Sequence, residues 1–232
     1  MSEFLTVVLL TYKRTDYAVR TIQAVSARLQ YPNWGWYISD DGSDALHHET
    51  VWEACIATDR PIVGHHNGAL SYGGGANAAL DVAFRQGQLV LMLEDDWELT
   101  RPFDIWKYAA VLMERPDIGM VRTGYLNTGL GATLISHSGS QYWILDDSES
   151  KHHSSHAFAG HPAIIHQRFF DSYGWYPERW QPGETELRMC WHVTSIEGPV
   201  IVWPAELGAA GPWAHIGGIQ SYEWNGGVQL SE

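Results

Sequence analysis

An α/β protein built on a mainly parallel sheet flanked by helices is the fold this sequence predicts, and three observations predict it. Short apolar runs suited to buried strands alternate with helix-spaced segments through the first half of the chain. Each run ends in polar, ligand-capable residues: TYKR, DDGSD, HHNG and EDDWE. No internal repeat or long linker divides the sequence, and 232 residues fit one domain.

Residues 4–10 are apolar and β-branched throughout, the pattern of a strand covered on both faces. Thr15 and Asp16 then open a helix whose Ala18, Ile22, Val25 and Leu29 share one face until Pro32 stops it. A second strand, WGWYIS, runs into the turn residues DDGSD, and HHETVWEACIA continues as a helix. A third short strand, 61–65, precedes the glycine-rich NGALSYGGGANAALDVAFRQG. There the glycines predict a flexible loop, with a helix over 76–85 closed by Gly87. The fourth strand, LVLML, ends in Glu94, Asp95 and Asp96; Pro102 suits the first turn of the next helix, and Pro116 ends it.

The second half is less regular. TLISHSGSQYWILDD reads as a hairpin or meander and SESKHHSSH as a polar loop. RFFDSYGW and ETELRMCWHV read as helices, PVIVWP as a late strand, and the glycine-rich segment from His215 onward as a tail that folds over the site.

Composition narrows the functions. A net charge of -13 disfavours a nucleic-acid backbone as partner, and an anionic ligand would need a local cation. No apolar stretch is long enough to span a bilayer. The N-terminus lacks the basic start and small-residue cleavage site of a signal peptide, so a cytoplasmic protein is expected. Cys55 and Cys190 are too few for a disulfide framework or a CxxC metal site, and read as reduced core residues. Twelve Trp and eleven Tyr exceed what one core requires; aromatic surfaces stack on sugars or bases, although core packing accounts for most.

Adjacent carboxylates at a strand end repel one another, and desolvating them is costly without a cation or a donor network. Glu94, Asp95 and Asp96 therefore leave two readings: a solvated acidic turn, or a site for Mg²⁺ or Mn²⁺, which take oxygen ligands together with substrate phosphates. DDGSD alone is a turn, but a second strand ending in acids suggests that both groups face one crevice, since ligands of open α/β sheets gather at the strands' carboxyl ends. SYGGGAN could cradle a phosphate, yet it matches neither GxGxxG nor the P-loop. The paired histidines 47–48, 65–66 and 152–153 read as exposed turn residues, whereas His215, between apolar residues and glycines, could close on a metal.

Taken in order, VVLLTYKRTDYAVRTIQAV, YISDDGSD, GGGANAAL, LVLMLEDDWEL, GWYPERWQPGETELRMCW and AHIGG resemble the GT-A fold glycosyltransferases, especially the inverting family 2 of sugar-nucleotide-dependent enzymes. The resemblance extends over nearly the whole chain. It implies a single GT-A domain over 1–232, with a nucleotide-binding half at 1–100 and an acceptor-binding half with its C-terminal tail at 101–232. It implies that Thr11, Tyr12 and Asp41 hold the base and ribose, with help from Arg14, and that Asn77 sits near the sugar-diphosphate. Glu94, Asp95 and Asp96 correspond to the family's DxD motif: Asp96 as metal ligand, Asp95 or Glu94 on ribose or sugar, and His215 completing the metal or diphosphate contact.

The resemblance puts the catalytic base at Glu184, with Glu186 in possible support, although Glu stands where the family has Asp and Cys190 where relatives often carry Arg. It implies a non-processive hexosyltransferase that uses Mn²⁺ or Mg²⁺ and a nucleotide-diphosphate sugar, UDP-linked by expectation. The acceptor would be a glycan, lipid-linked or protein hydroxyl. Trp97, Trp143, Trp175, Trp180 and Trp191 are candidate sugar platforms, each with core packing as its plainer role. Two rivals stand beside this reading: a sugar-1-phosphate nucleotidyltransferase, whose Arg- and Lys-bearing loop TYKRTD does not match, and a degenerate carbohydrate-binding module.

Overall fold

The structure, a computed structural model, describes residues 3–126, 131–146 and 156–217. The predicted polar loop 148–156, apart from its last residue, and the tail beyond Gly217 lie outside the described residues, as do His152 and His153.

Strand and helix alternate first: β1 (Leu5–Thr11), α1 (Thr15–Arg28), the two-residue β2 (Leu29–Gln30), β3 (Trp34–Asp40), α2 (Ala45–Ile56), β4 (Ile62–Asn67), α3 (Ser71–Gln86) and β5 (Leu89–Glu94). Then come β6 (Trp97–Leu99), β7 (Phe103–Asp104), α4 (Trp106–Glu114), β8 (Ile118–Arg122), β9 (Gly131–His137) and β10 (Ser140–Asp146). The described chain closes with β11 (Ala163–His166), α5 (Gln167–Tyr173), α6 (Pro182–Ser195), β12 (Val200–Pro204) and β13 (Trp213–His215). Among the described residues no helix is long and apolar enough to cross a membrane.

Nine strands form one sheet in the order β4-β3-β1-β5-β11-β8-β12-β10-β9. The first four are mutually parallel, as the alternation predicts. β11 runs antiparallel between β5 and β8, so the sheet as a whole is mixed. Side chains alternate across β1: Leu5, Val7 and Leu9 enter the core beneath α1 and α2, while Val8 and Leu10 enter the core beneath α3. Burial on both faces is why the run shows no polar alternation. The expected hairpin is β9 and β10, joined by Ser138 (φ 47°) and Gly139 (φ 81°); two positive φ values match the twist of the flanking strands.

Three expectations are corrected. The glycine-rich stretch is not a loop: Gly73, Gly74 and Gly75 are buried inside α3, which begins at Ser71. They are small because their neighbours come close. A Cβ on Gly73 would lie 2.1 Å from the carbonyl oxygen of Pro177, and one on Gly75 would lie 2.9 Å from Ser39 Oγ. The 102–115 segment opens as strand β7 and turns helical only at Trp106, because Phe103 pairs with Leu29. His65 and His66 lie in β4, an edge strand, and His47 is buried, bonded through Nε2 to Thr11 Oγ1 (3.0 Å) and through Nδ1 to Thr15 Oγ1 (2.9 Å). Both cysteines are buried thiols outside any disulfide, and burial pushes that of Cys55 up to about 12.

Gly73→Ala should lower stability by about 1–3 kcal/mol, a fall of several degrees in melting temperature, because the added methyl meets backbone that cannot rotate away. A thermal melt unchanged from wild type would show that α3 and the 177 segment are not in close contact.

Candidate active site

Register brings the acids together. Leu10 pairs with Glu94 and Thr11 with Asp40, so the carboxyl ends of β1, β3 and β5 finish on one edge. Beyond β5 the chain turns sharply to enter β6, and the turn is fixed by its own carboxylates. Asp95 is fully buried. Its Oδ2 accepts from Thr11 Oγ1 (2.9 Å) and the Tyr12 amide (3.2 Å), while Oδ1 pairs with Arg14. Its backbone carbonyl accepts from Thr21 Oγ1 (2.7 Å), tying the turn to α1. Burial raises the Asp95 carboxyl to about 6, with Arg14 pulling the other way.

Asp96 is different. Its Oδ2 meets Arg14 Nη1 at 2.6 Å and His215 Nε2 at 3.2 Å, but its Oδ1 is buried without a hydrogen-bond partner. The Ile216 amide donates to the Asp96 carbonyl (2.8 Å), and a Cβ on Gly217 would come within 2.3 Å of Oδ2. Only glycine lets that last segment close over the carboxylate. His215 is steadied by Trp97, whose ring centroid lies 5.0 Å from it and 5.2 Å from that of His161. His161 in turn stacks on Tyr125 at 3.9 Å.

On the other side of the acids, Glu94 receives a hydrogen bond from the Tyr72 hydroxyl of α3. Glu186 of α6 accepts from the Gly160 amide (2.7 Å). A Cβ built on Gly160 would lie 3.3 Å from Glu94 Oε1 and from the Tyr72 oxygen, and 3.7 Å from Glu186 Oε1, so the groups converge. Desolvation, then Asp96 and Glu186, push the Glu94 carboxyl up to about 8; it holds a proton at neutral pH.

A cleft of about 640 Å³ opens onto these groups. Thr11, Tyr12, Asp41, Tyr72, Trp180 and Glu186 line it. One oxygen of Asp41 accepts from the Leu70 amide (2.8 Å), and burial raises its carboxyl above the ordinary range. Gly42 (φ 85°) supplies the turn beyond it, as the sequence predicts. Arg179 also lines the cleft, and its backbone sits at φ 68°, steadied by its amide bond to Ser71 Oγ (3.0 Å).

Of the residues picked from sequence, Thr11, Tyr12, Arg14, Asp41, Glu94, Asp95, Asp96, Glu186 and His215 all line the cleft. Asn77 and Glu184 are not among them. Asn77 is spent on structure: Nδ2 donates to the Tyr176 carbonyl (2.9 Å) and to Glu178 (3.0 Å), and Oδ1 accepts from the Tyr176 amide (3.0 Å). Glu184 pairs with Arg188 (2.8 Å) one helical turn away, and Glu186 is the α6 carboxylate that faces the acids. Arg14 serves the acids themselves, bridging Asp95 and Asp96, so part of the compensating charge is internal. Sequence reading missed Tyr72, Gly160 and Arg122. Arg122, the one charged residue of β8, is buried and donates to the carbonyls of His156 (2.9 Å), Ala157 (2.8 Å) and Tyr125 (3.1 Å), which shapes the wall containing Gly160. A lone Arg in an apolar strand was the available signal.

A parallel four-strand unit continued by a mixed sheet, with an acidic turn after β5, is the GT-A fold. Three solved structures carry the likeness. TarS from S. aureus, residues 1-349 in complex with UDP-GlcNAc, matches with a TM-score of 0.59 at 14% identity over 87% of this chain and 58% of its own. The mannosyltransferase PcManGT from Pyrobaculum calidifontis, in complex with GDP-Man and Mn²⁺, matches at 0.56 and 13% identity over 86% of this chain and 56% of its own. GalNAc-T7 with UDP, GalNAc and Mn²⁺ matches at 0.60 and 15% identity over 87% of this chain and 42% of its own. The chain thus corresponds to 42% to 58% of these longer chains. No protein-family model matches it, and no curated protein sequence does.

His161 gives a pH signature. Desolvation and then the Arg122 guanidinium, 3.2 Å from Nδ1, lower its pKa to about 3. Below about pH 6.5 the unfolded chain takes up a proton that the folded one refuses, so stability falls as pH drops from about 6.5 toward 3. His166, lowered to about 4, adds to the same slope from outside the site. Urea midpoints at about pH 7 and pH 5 should converge in His161→Gln relative to wild type; an identical pH dependence in the two proteins would place His161 in water.

Proposed function

We propose that this chain is a glycosyltransferase that moves one sugar from a nucleotide-diphosphate donor, UDP-linked by preference, to an acceptor hydroxyl with inversion. The observation that carries the reading is the asymmetry of the acidic turn. Asp95 is saturated by Thr11, Tyr12 and Arg14, whereas Asp96 keeps one buried oxygen unpaired beside an imidazole, at the mouth of a cleft of ligand size.

An acid-rich cleft repels a diphosphate, and Arg14 already serves two of its carboxylates. A divalent cation resolves the conflict, and the donors fit one: Asp96 offers a carboxylate oxygen and His215 a nitrogen. Among the described residues no three His, Cys, Asp or Glu side chains form a complete metal cage, which suits Mn²⁺ or Mg²⁺, since they keep waters and take phosphate oxygens. When bound, such an ion stabilises the charge on the departing diphosphate. The Mn²⁺ in PcManGT and GalNAc-T7, each solved with a nucleotide or nucleotide sugar, supports the assignment.

The donor half is 1–100. Thr11, Tyr12 and Asp41 line the cleft at the ends of β1 and β3, where a base and ribose would lie. Glu94, hydrogen-bonded by Tyr72 and lining the cleft, is placed to bond a sugar hydroxyl. The acceptor half, 101–232, contributes the base. We assign that role to Glu186: Oε1 is fixed by the Gly160 amide and the other oxygen is left to receive the acceptor's proton. Glu184, engaged with Arg188 outside the cleft, is then not the base. Two buried thiols outside any disulfide suit a reducing cytoplasm.

Glu186→Gln should lower turnover of UDP-sugar by about 10²- to 10⁴-fold while UDP still binds, and Glu184→Gln should leave turnover within a few-fold of wild type. Radiolabelled sugar transfer or UDP release measures both. The opposite ranking would return the base to Glu184. A thermal-shift screen of nucleotide sugars should show stabilisation that requires Mn²⁺ or Mg²⁺, and stabilisation by neither UDP-sugars nor GDP-sugars in any metal would remove the transferase reading.

A further inference from the structure

Helix α6 carries a second surface, outside the chemistry above. Trp180 lines the cleft yet is 44% exposed, and Trp191 is 50% exposed farther along the helix. Arg188 stands between them, its guanidinium carbon 3.6 Å from the centre of the Trp180 ring and 5.9 Å from that of Trp191. Glu184 pairs with Arg188 at 2.8 Å. Residues 184, 188 and 191 share one helical stripe, while Thr185, Met189 and Cys190 fill the core behind it. The result is an exposed Trp-Arg-Trp ladder that starts at the mouth of the cleft and leads away from it.

The chemistry of this strip selects its ligand. Two indoles left in water ask for flat, C–H-bearing faces to stack on. The Arg188 donors, lying between the rings, suit hydroxyls. Because Glu184 neutralises Arg188 and the protein carries -13, an anionic polymer gains little here. A wholly apolar partner would bury the ion pair at a cost. A neutral chain of sugar rings satisfies each group.

We propose that the acceptor is an oligosaccharide of two or more sugar units, its terminal unit entering the cleft beside Trp180 and the next units lying over Arg188 and Trp191. This deepens the glycosyl-transfer reading and rests on it for the identity of the reaction, while the binding strip itself can be tested alone.

The test titrates maltohexaose, cellohexaose, chitohexaose and xylohexaose, each against its own monosaccharide, into the full chain by calorimetry and tryptophan fluorescence. At least one hexasaccharide should bind about 10-fold or more tightly than its monosaccharide. Trp191→Ala should weaken that binding by about 10-fold, with Trp191→Tyr retaining most of it. Mn²⁺-dependent UDP binding, measured on the same proteins, should not change in Trp191→Ala, which reports that the variant is folded. Failure of all four hexasaccharides to bind better than their monomers overturns the proposal. So does hexasaccharide binding that ignores Trp191, or self-association abolished by Trp191→Ala in a protein that binds no glycan. If a hexasaccharide binds through Trp191 but UDP does not bind with Mn²⁺, the strip stands and the transfer reading alone is struck.

Discussion

The buried pairing of Arg14 with Asp95 is the interaction on which the site depends. A carboxylate at a strand end with no exposure to water is tolerable only when its oxygens are fully occupied. Thr11, the Tyr12 amide and Arg14 do this for Asp95. Removing one partner of such a pair strands a buried charge, at a cost of about 3–5 kcal/mol. Because these partners sit at the end of β1 and in the loop beyond it, and the acid sits after β5, the pairing also locks two strand ends together. The turn is then rigid enough to present Asp96 and Glu94 in fixed directions.

The rest of the cleft is assembled by close approach. Gly73 and Gly75 let α3 settle against the 177 segment and β3, which delivers Tyr72 to Glu94 and the Arg179–Trp180 segment to the cleft rim. Asn77 clamps the same segment through three hydrogen bonds. Gly217 lets the segment after β13 close on Asp96, and Trp97 backs His215. Small residues bring the elements near, and polar ones fix what they carry.

Much of this was legible in the sequence because it depends on local pattern. Uninterrupted apolar runs gave the parallel strands, and the acids after 34–39 and 89–93 pointed to one edge. What was not legible depends on direction and on distant neighbours. Glu184 and Glu186 are two residues apart on a helix and point about 160° apart, a difference of direction that motif spacing does not report. The glycines of SYGGGAN read as loop because helix propensity disfavours them; tertiary packing against Pro177 outweighs that preference. His47 read as exposed because its hydrogen-bond partners, Thr11 and Thr15, come from another part of the chain. Arg14 pairs with both acids across more than eighty positions, a contact that local pattern does not report.

The division of labour within the acidic turn is the central claim, and it separates two neighbouring residues. On the proposed reading Asp95 is a structural carboxylate held by Arg14, and Asp96 is the one that takes a cation. Titration of Mn²⁺ monitored by electron paramagnetic resonance, with UDP present, on Asp95→Asn and Asp96→Asn decides it. Asp96→Asn should lose Mn²⁺ binding while keeping its fold. Asp95→Asn should melt several degrees lower yet still take up Mn²⁺ at temperatures where it is folded. Loss of Mn²⁺ binding in folded Asp95→Asn, with Asp96→Asn unaffected, would contradict it.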